Sequence, residues 1–144
     1  MADTTFTAVA ETVAGMKTKC TARGMSIILD EPVSLGGTDE GMNPVEALLS
    51  ALGACKAIVA NAFARHQKMT INGVRIELEG VLDPDGFQGK NPDAKIGFSK
   101  INTRYQFDSP NTPEEIEAYV EFIEAHCPVH DTLANPAELT HEIV

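Results

Sequence analysis

The 144-residue chain is predicted to be an α+β protein in which mostly antiparallel sheet packs on helices. Three observations predict it. Runs that alternate apolar and polar residues occupy positions 5–29 and 71–108, the pattern of half-buried strands. Between them lies an almost purely apolar helix at 45–64. A second, amphipathic helix with its own start signals follows at 112–126.

In order, residues 5–14 alternate through Phe6, Ala8, Ala10 and Val13 and read as an edge strand. Met16–Ala22 pairs with it across a turn at Ala14–Gly15. Met25–Leu29 is the next strand, entered through Arg23–Gly24 and ended by Asp30–Glu31–Pro32. The glycine-rich SLGGTDEGMN is a loop delivering the chain to the helix. Asn43 is a good N-cap, Pro44 suits the first helical position, and Glu46 completes a capping box. From Ala47 to Ala64 the only charge is Lys56, and Cys55 stands in the middle. A helix apolar on nearly every face demands burial, and a chain of this size struggles to cover it, so a tightly associated homodimer is expected.

Val74, Ile76, Leu78 and Val81 give a long strand with one buried face, and DPDGFQGKNPDAK is a loop or hairpin tip. Residues 96–108 form a second long strand antiparallel to the first. Thr112, Pro113 and Glu115 cap a helix whose stripe is Ile116, Tyr119, Val120 and Ile123. Pro128 restarts a short helical turn directly after Cys127, and Leu139–Val144 reads as a final strand. The length and the lack of repeats or linkers give a single domain over 1–144.

A net charge of −10 argues against binding a phosphate backbone, which needs clustered Lys and Arg. The N-terminus lacks a basic stretch followed by an apolar core, so no secretory leader is expected. The central helix approaches membrane-spanning length, but its many small and polar residues and missing basic flanks argue against a span. Three cysteines, an odd number without an export signal, point to a cytoplasmic chain with free thiols.

The chemistry-bearing candidates are these thiols. Cys55 is either a small buried hydrophobe or a thiol with a task. Cys127 precedes a proline that opens a helix, where amide groups and the helix dipole favour a thiolate, and His126 and His130 are close in sequence. His126, Cys127, His130 and Asp131 also offer metal ligands, but the paired spacing usual for zinc is missing, so no metal is expected. Cys20, in a predicted strand, is read as structural.

NPVEALLSALGAC with a distant CPVH, preceded by DEPVSLGGTDEGMNP, resembles the osmotically inducible protein C and organic hydroperoxide resistance (OsmC/Ohr) family over residues 26–144. The resemblance implies an intertwined homodimer with antiparallel sheets wrapped around long central helices. It implies a thiol peroxidase whose Cys55 attacks an organic hydroperoxide, becomes a sulfenic acid and condenses with Cys127 to a disulfide. No cofactor is implied. The recycling reductant is an external dithiol, lipoyl groups in the peroxidase branch.

Where that branch carries Glu directly after Asn-Pro, this chain has Val45, with Glu46 one place later. Nine helical residues put Glu46 about 13 Å along the helix from Cys55 and on the opposite face, so it could serve that thiol only across a dimer interface. Arg23 is the only arginine before the helix and becomes the candidate thiolate-stabilising cation. His130 and Asp131 replace a small residue and a lysine, which places the chain in an OsmC-like branch. The alternative reading is a non-enzymatic dimer that senses oxidants or binds an apolar ligand.

Overall fold

The computed structural model describes residues 2–144, which fall into two compact units, one running to Leu48 and one from Leu49 to Val144. In the first, β1 (Val9–Ala14), β2 (Lys17–Ala22) and β3 (Met25–Leu29) form an antiparallel three-stranded sheet in that order. Arg23 and Gly24 both have positive φ, at 51° and 81°, the two-residue hairpin whose backbone twist matches that of its strands. A single 3-10 turn at Val33–Leu35 opens the loop that follows.

That loop is folded around Asp30, which is 2 % exposed. Its carboxylate accepts from the Thr38 hydroxyl at 2.6 Å and from the backbone N–H groups of Glu31, Thr38 and Glu40 at 2.8, 3.2 and 3.3 Å. The glycines of the loop are there for close approach. A Cβ on Gly37 would stand 1.9 Å from the Glu31 carbonyl oxygen, and one on Gly41 2.2 Å from that of Ile28.

The Thr38 hydroxyl and the Glu31 amide hold the Asp30 carboxyl down at about 2, below its ordinary 3.8. A carboxyl with a depressed folded value stabilises fully above its unfolded value and loses that contribution as pH falls through the folded one. Asp30→Asn is therefore expected to be less stable than wild type near neutrality. The gap in urea midpoint between the two should close as pH drops from about 4 to about 2.

Helix α1 (Pro44–Phe63) begins with the reciprocal box: the Glu46 amide donates to Asn43 Oδ1 at 2.9 Å and the Asn43 amide to Glu46 Oε1 at 3.2 Å. Its buried residues are Leu52, Gly53, Lys56, Val59 and Ala60, while Ile58 is 66 % exposed. The helix long and apolar enough by composition to cross a membrane thus has one face covered within the chain and the other open.

In the second unit β4 (Gly73–Val81) and β5 (Lys100–Asp108) form an antiparallel ribbon. Val74↔Phe107, Ile76↔Tyr105, Leu78↔Thr103 and Gly80↔Ile101 pair on its inner face, and Val81 ends up exposed, not inward as its spacing suggested. Gly53 rests on Leu78, close enough that a Cβ there would meet the Leu78 methyl at 2.5 Å. The loop between the strands carries one turn of helix, α2 (Pro84–Phe87), capped by Asp83. The second strand starts at Lys100, because Phe98 leaves the ribbon to lie over Gly80.

Helix α3 (Pro113–His126) packs Tyr119 and Ile123 against Val59 and Ala60 of α1, with Val74, Tyr105, Phe107 and Phe122 around them. The Tyr119 hydroxyl donates to the Ala60 carbonyl. Thr112 and Glu115 form the expected box at its start, and Thr112→Ala should lower unfolding free energy by about 1 kcal/mol, read from the denaturation midpoint. Helix α4 (Pro128–Ala134) follows at once. Residues 139–144, expected to be a strand, are not one. Leu139 and Ile143 are 92 % and 96 % exposed, and no described strand pairs with them.

Candidate active site

Cys127 is the hinge between α3 and α4. Its backbone is extended (φ −88°, ψ 112°), so it closes one helix and caps the next, with Sγ accepting from the His130 amide at 3.4 Å. Pro128 enforces that break, since it favours an extended conformation in the residue before it. The side chain is 1 % exposed and in hydrogen-bond contact with Cys55 of α1. The two thiols, remote in sequence, therefore meet in the second unit.

Their burial differs from the sequence-based expectation in a useful way. Cys55 was expected at the centre of the most buried element, yet it is partly exposed, whereas Cys127 is enclosed. The position of Cys127 at a helix start was expected to favour its thiolate. Burial instead pushes the thiol up, the hydrogen bond with Cys55 adds to this, and the amides of His130 and Val129 only partly oppose it. Desolvation of a charge in an enclosed site outweighs two amide dipoles. Cys127 therefore stays protonated at neutral pH.

Beside the pair lies a network that the sequence did not reveal. Lys56, the residue after Cys55, is 2 % exposed and forms a two-point ion pair with Glu124 of α3, Nζ standing 2.7 and 2.6 Å from the two carboxylate oxygens. Tyr105 of β5 donates its hydroxyl to Glu124 Oε1 at 2.7 Å, and His130 Nδ1 of α4 lies 2.8 Å from Oε2. Thr103 Oγ1 is 3.4 Å from the ammonium. Burial works to raise the Glu124 carboxyl, but its bonds to Lys56 and Tyr105 and the charges of Lys56 and His130 prevail and hold it below the ordinary value. Tyr105 is driven the other way, by burial first and then by Glu124, and stays a neutral donor.

A cavity of about 470 Å³ opens against this network, lined by Leu52, Phe98 and Leu133 as well as by Lys56, Glu124 and His130. Its wall is mixed, not purely apolar.

Glu46 is engaged in the cap of α1. Arg23 is exposed in the β2–β3 turn of the first unit. Cys20 sits in β2, partly buried, and lines a cavity of about 510 Å³ within that unit together with Met16 and Leu29. His126 stacks on Phe122 at 3.9 Å between ring centroids, its Nδ1 2.8 Å from the Phe122 carbonyl. His130 turns to Glu124. The two histidines thus serve different neighbours, and no group of three His, Cys, Asp or Glu among the described residues is arranged to hold a metal ion.

Comparison with known proteins bears on this geometry. A family model described as OsmC-like protein matches residues 37–142. A hydroperoxide reductase of Mycoplasma genitalium is 35 % identical over 95 residues, covering 65 % of this chain and 63 % of that protein. The corresponding hydroperoxide reductase of Mycoplasma pneumoniae is 34 % identical over 103 residues, 71 % of this chain and 69 % of the relative. The chain thus aligns with just under two thirds of the first relative's length. An OsmC-like protein structure from Mycoplasma pneumoniae superposes with a TM-score of 0.82 at 28 % identity, covering 94 % of this chain and 91 % of that one. An OsmC organic hydroperoxide resistance protein from Legionella pneumophila reaches 0.70 at 22 % identity over 94 % and 93 %, a likeness of fold alone.

Proposed function

From the premise that this chain belongs to the OsmC-like protein family, we propose that it is a cytoplasmic thiol-dependent peroxidase acting on organic hydroperoxides. The observation that carries the reading is the contact between Cys55 and Cys127, one thiol partly open and the other enclosed and protonated. The names of the two Mycoplasma relatives support the same chemistry.

The thiolate of Cys55 attacks the terminal oxygen of ROOH. The O–O bond breaks, ROH leaves with a proton, and Cys55 becomes a sulfenic acid. Cys127 sulfur then attacks Cys55 sulfur, and its thiol proton departs with the sulfenic hydroxyl as water. The attacking species is the thiolate, so Cys127 gives up its proton as it attacks, and that proton is the one the leaving hydroxide takes. An external dithiol, of the lipoyl class, restores both thiols by exchange and is itself oxidised to a disulfide. The open face of α1 and its exposed Ile58 favour a homodimer, in which a partner copy would lend the Arg23 guanidinium as the cation that supports the Cys55 thiolate, with Glu46 as a second site residue acting across the interface.

Turnover of cumene hydroperoxide with a dithiol tests the proposal. Wild type should consume peroxide through many cycles, and Cys55→Ser should not. Equal consumption by the two proteins, or none by either, contradicts it, and the second result would favour a binding or sensing role.

A further inference from the structure

Glu124 stands three residues before Cys127 and His130 three after, so the bond between their side chains spans the α3–α4 hinge on which Cys127 sits. Lys56 immediately follows Cys55, and it grips both oxygens of the same carboxylate. One side chain therefore ties the segment carrying one thiol to the segment carrying the other, while Tyr105 fixes it to the sheet. We propose that Glu124, clamped by Lys56 and His130, is a positioning residue that sets the approach of Cys127 to Cys55 and so raises the effective concentration of one thiol at the other. This rests on reading the cysteines as a redox pair.

Disulfide formation tolerates little error in where the two backbones stand. A hinge held only by packing could open by a fraction of a turn. A carboxylate held by an ammonium, an imidazole and a phenol cannot shift without breaking several charge-assisted bonds at once. Stability alone is a poor reason to keep such a cluster, since a buried ion pair is often matched by apolar residues of similar volume. Its bonds to the segments that carry both thiols give it a more specific use.

The test is an equilibrium that needs no peroxide. Wild type, the charge-neutral double variant Lys56→Met/Glu124→Gln and the single variant His130→Ala, all carrying Cys20→Ser, are equilibrated at pH 7 with reduced and oxidised glutathione. Two protein thiols and one oxidised glutathione give the Cys55–Cys127 disulfide and two reduced glutathiones, quantified by mass. The double variant should lose about tenfold in this equilibrium constant, a potential about 30 mV more oxidising. His130→Ala keeps the Lys56–Glu124 pair, decides the matter should the double variant not fold, and should fall by more than about twofold, a loss still resolvable as a shift in potential. A constant within that margin of wild type in either folded variant overturns the proposal, as does a wild-type protein that forms no Cys55–Cys127 disulfide. Shifted constants in a protein inert to peroxides would remove the peroxidase reading and leave the positioning role standing.

Discussion

Cys127→Ser protein is expected to reduce one equivalent of organic hydroperoxide per Cys55 and then stall. In the proposed mechanism the first chemical step belongs to Cys55 alone, so the burst should match wild type in amplitude. The sulfenic acid left behind has no neighbouring thiol to condense with, and excess peroxide should carry it on to the irreversible sulfinic state. Trapping with dimedone during the burst, followed by mass analysis, checks this. Sustained turnover in the variant at the wild-type rate would show that the external dithiol reaches Cys55 directly and that Cys127 is dispensable.

Glu124→Gln should be the most damaging single change to stability outside the apolar core. It leaves the Lys56 ammonium, 2 % exposed, without its countercharge. Removing one partner of a buried pair costs about 3 kcal/mol or more, much of it the penalty of the stranded charge. Adding Lys56→Met removes that charge and should recover most of the loss, because a methionine fills similar volume at no desolvation cost. Urea unfolding of the single and double variants measures the difference. A double variant as unstable as Glu124→Gln would mean that the damage comes from lost packing around Tyr105 and His130 instead.

Much of this architecture was legible in the sequence because its signals are local. Thr112, Pro113 and Glu115 mark the start of α3 through one hydroxyl and one carboxylate, and the structure places it there. Asn43 and Glu46 do the same for α1. Alternation located β4 and β5, since each inner-face residue meets its partner directly across the ribbon. Local pattern misled at Leu139–Val144, where alternation of apolar residues needs a neighbouring strand to become structure and none of the described ones is beside it.

The candidate site was legible only in part. Family resemblance singled out the two cysteines, and residue type alone left Cys55 open between a core thiol and a working one. Lys56 bonds to residues 47 and 68 positions away, and no spacing rule reports such contacts. One signal did exist: beyond the capping Glu46, Lys56 is the lone charge in an otherwise apolar helix, and a charge in such a place requires a partner. Which of the many acidic residues would answer it depended on the hinge at Cys127, which brings Glu124 and His130 onto one side of the thiol. The protonated state of Cys127 was likewise hidden, because a helix-start position speaks for the thiolate until the depth of burial is known.

The central idea is that two cysteines from opposite ends of the second unit form one reactive couple. Exposing reduced protein to one equivalent of cumene hydroperoxide, blocking residual thiols and mapping the disulfide by proteolysis and mass spectrometry tests it most directly. A single intrachain link between Cys55 and Cys127, with Cys20 recovered as a blocked thiol, is the predicted result. A link through Cys20, or three unmodified thiols, would contradict it.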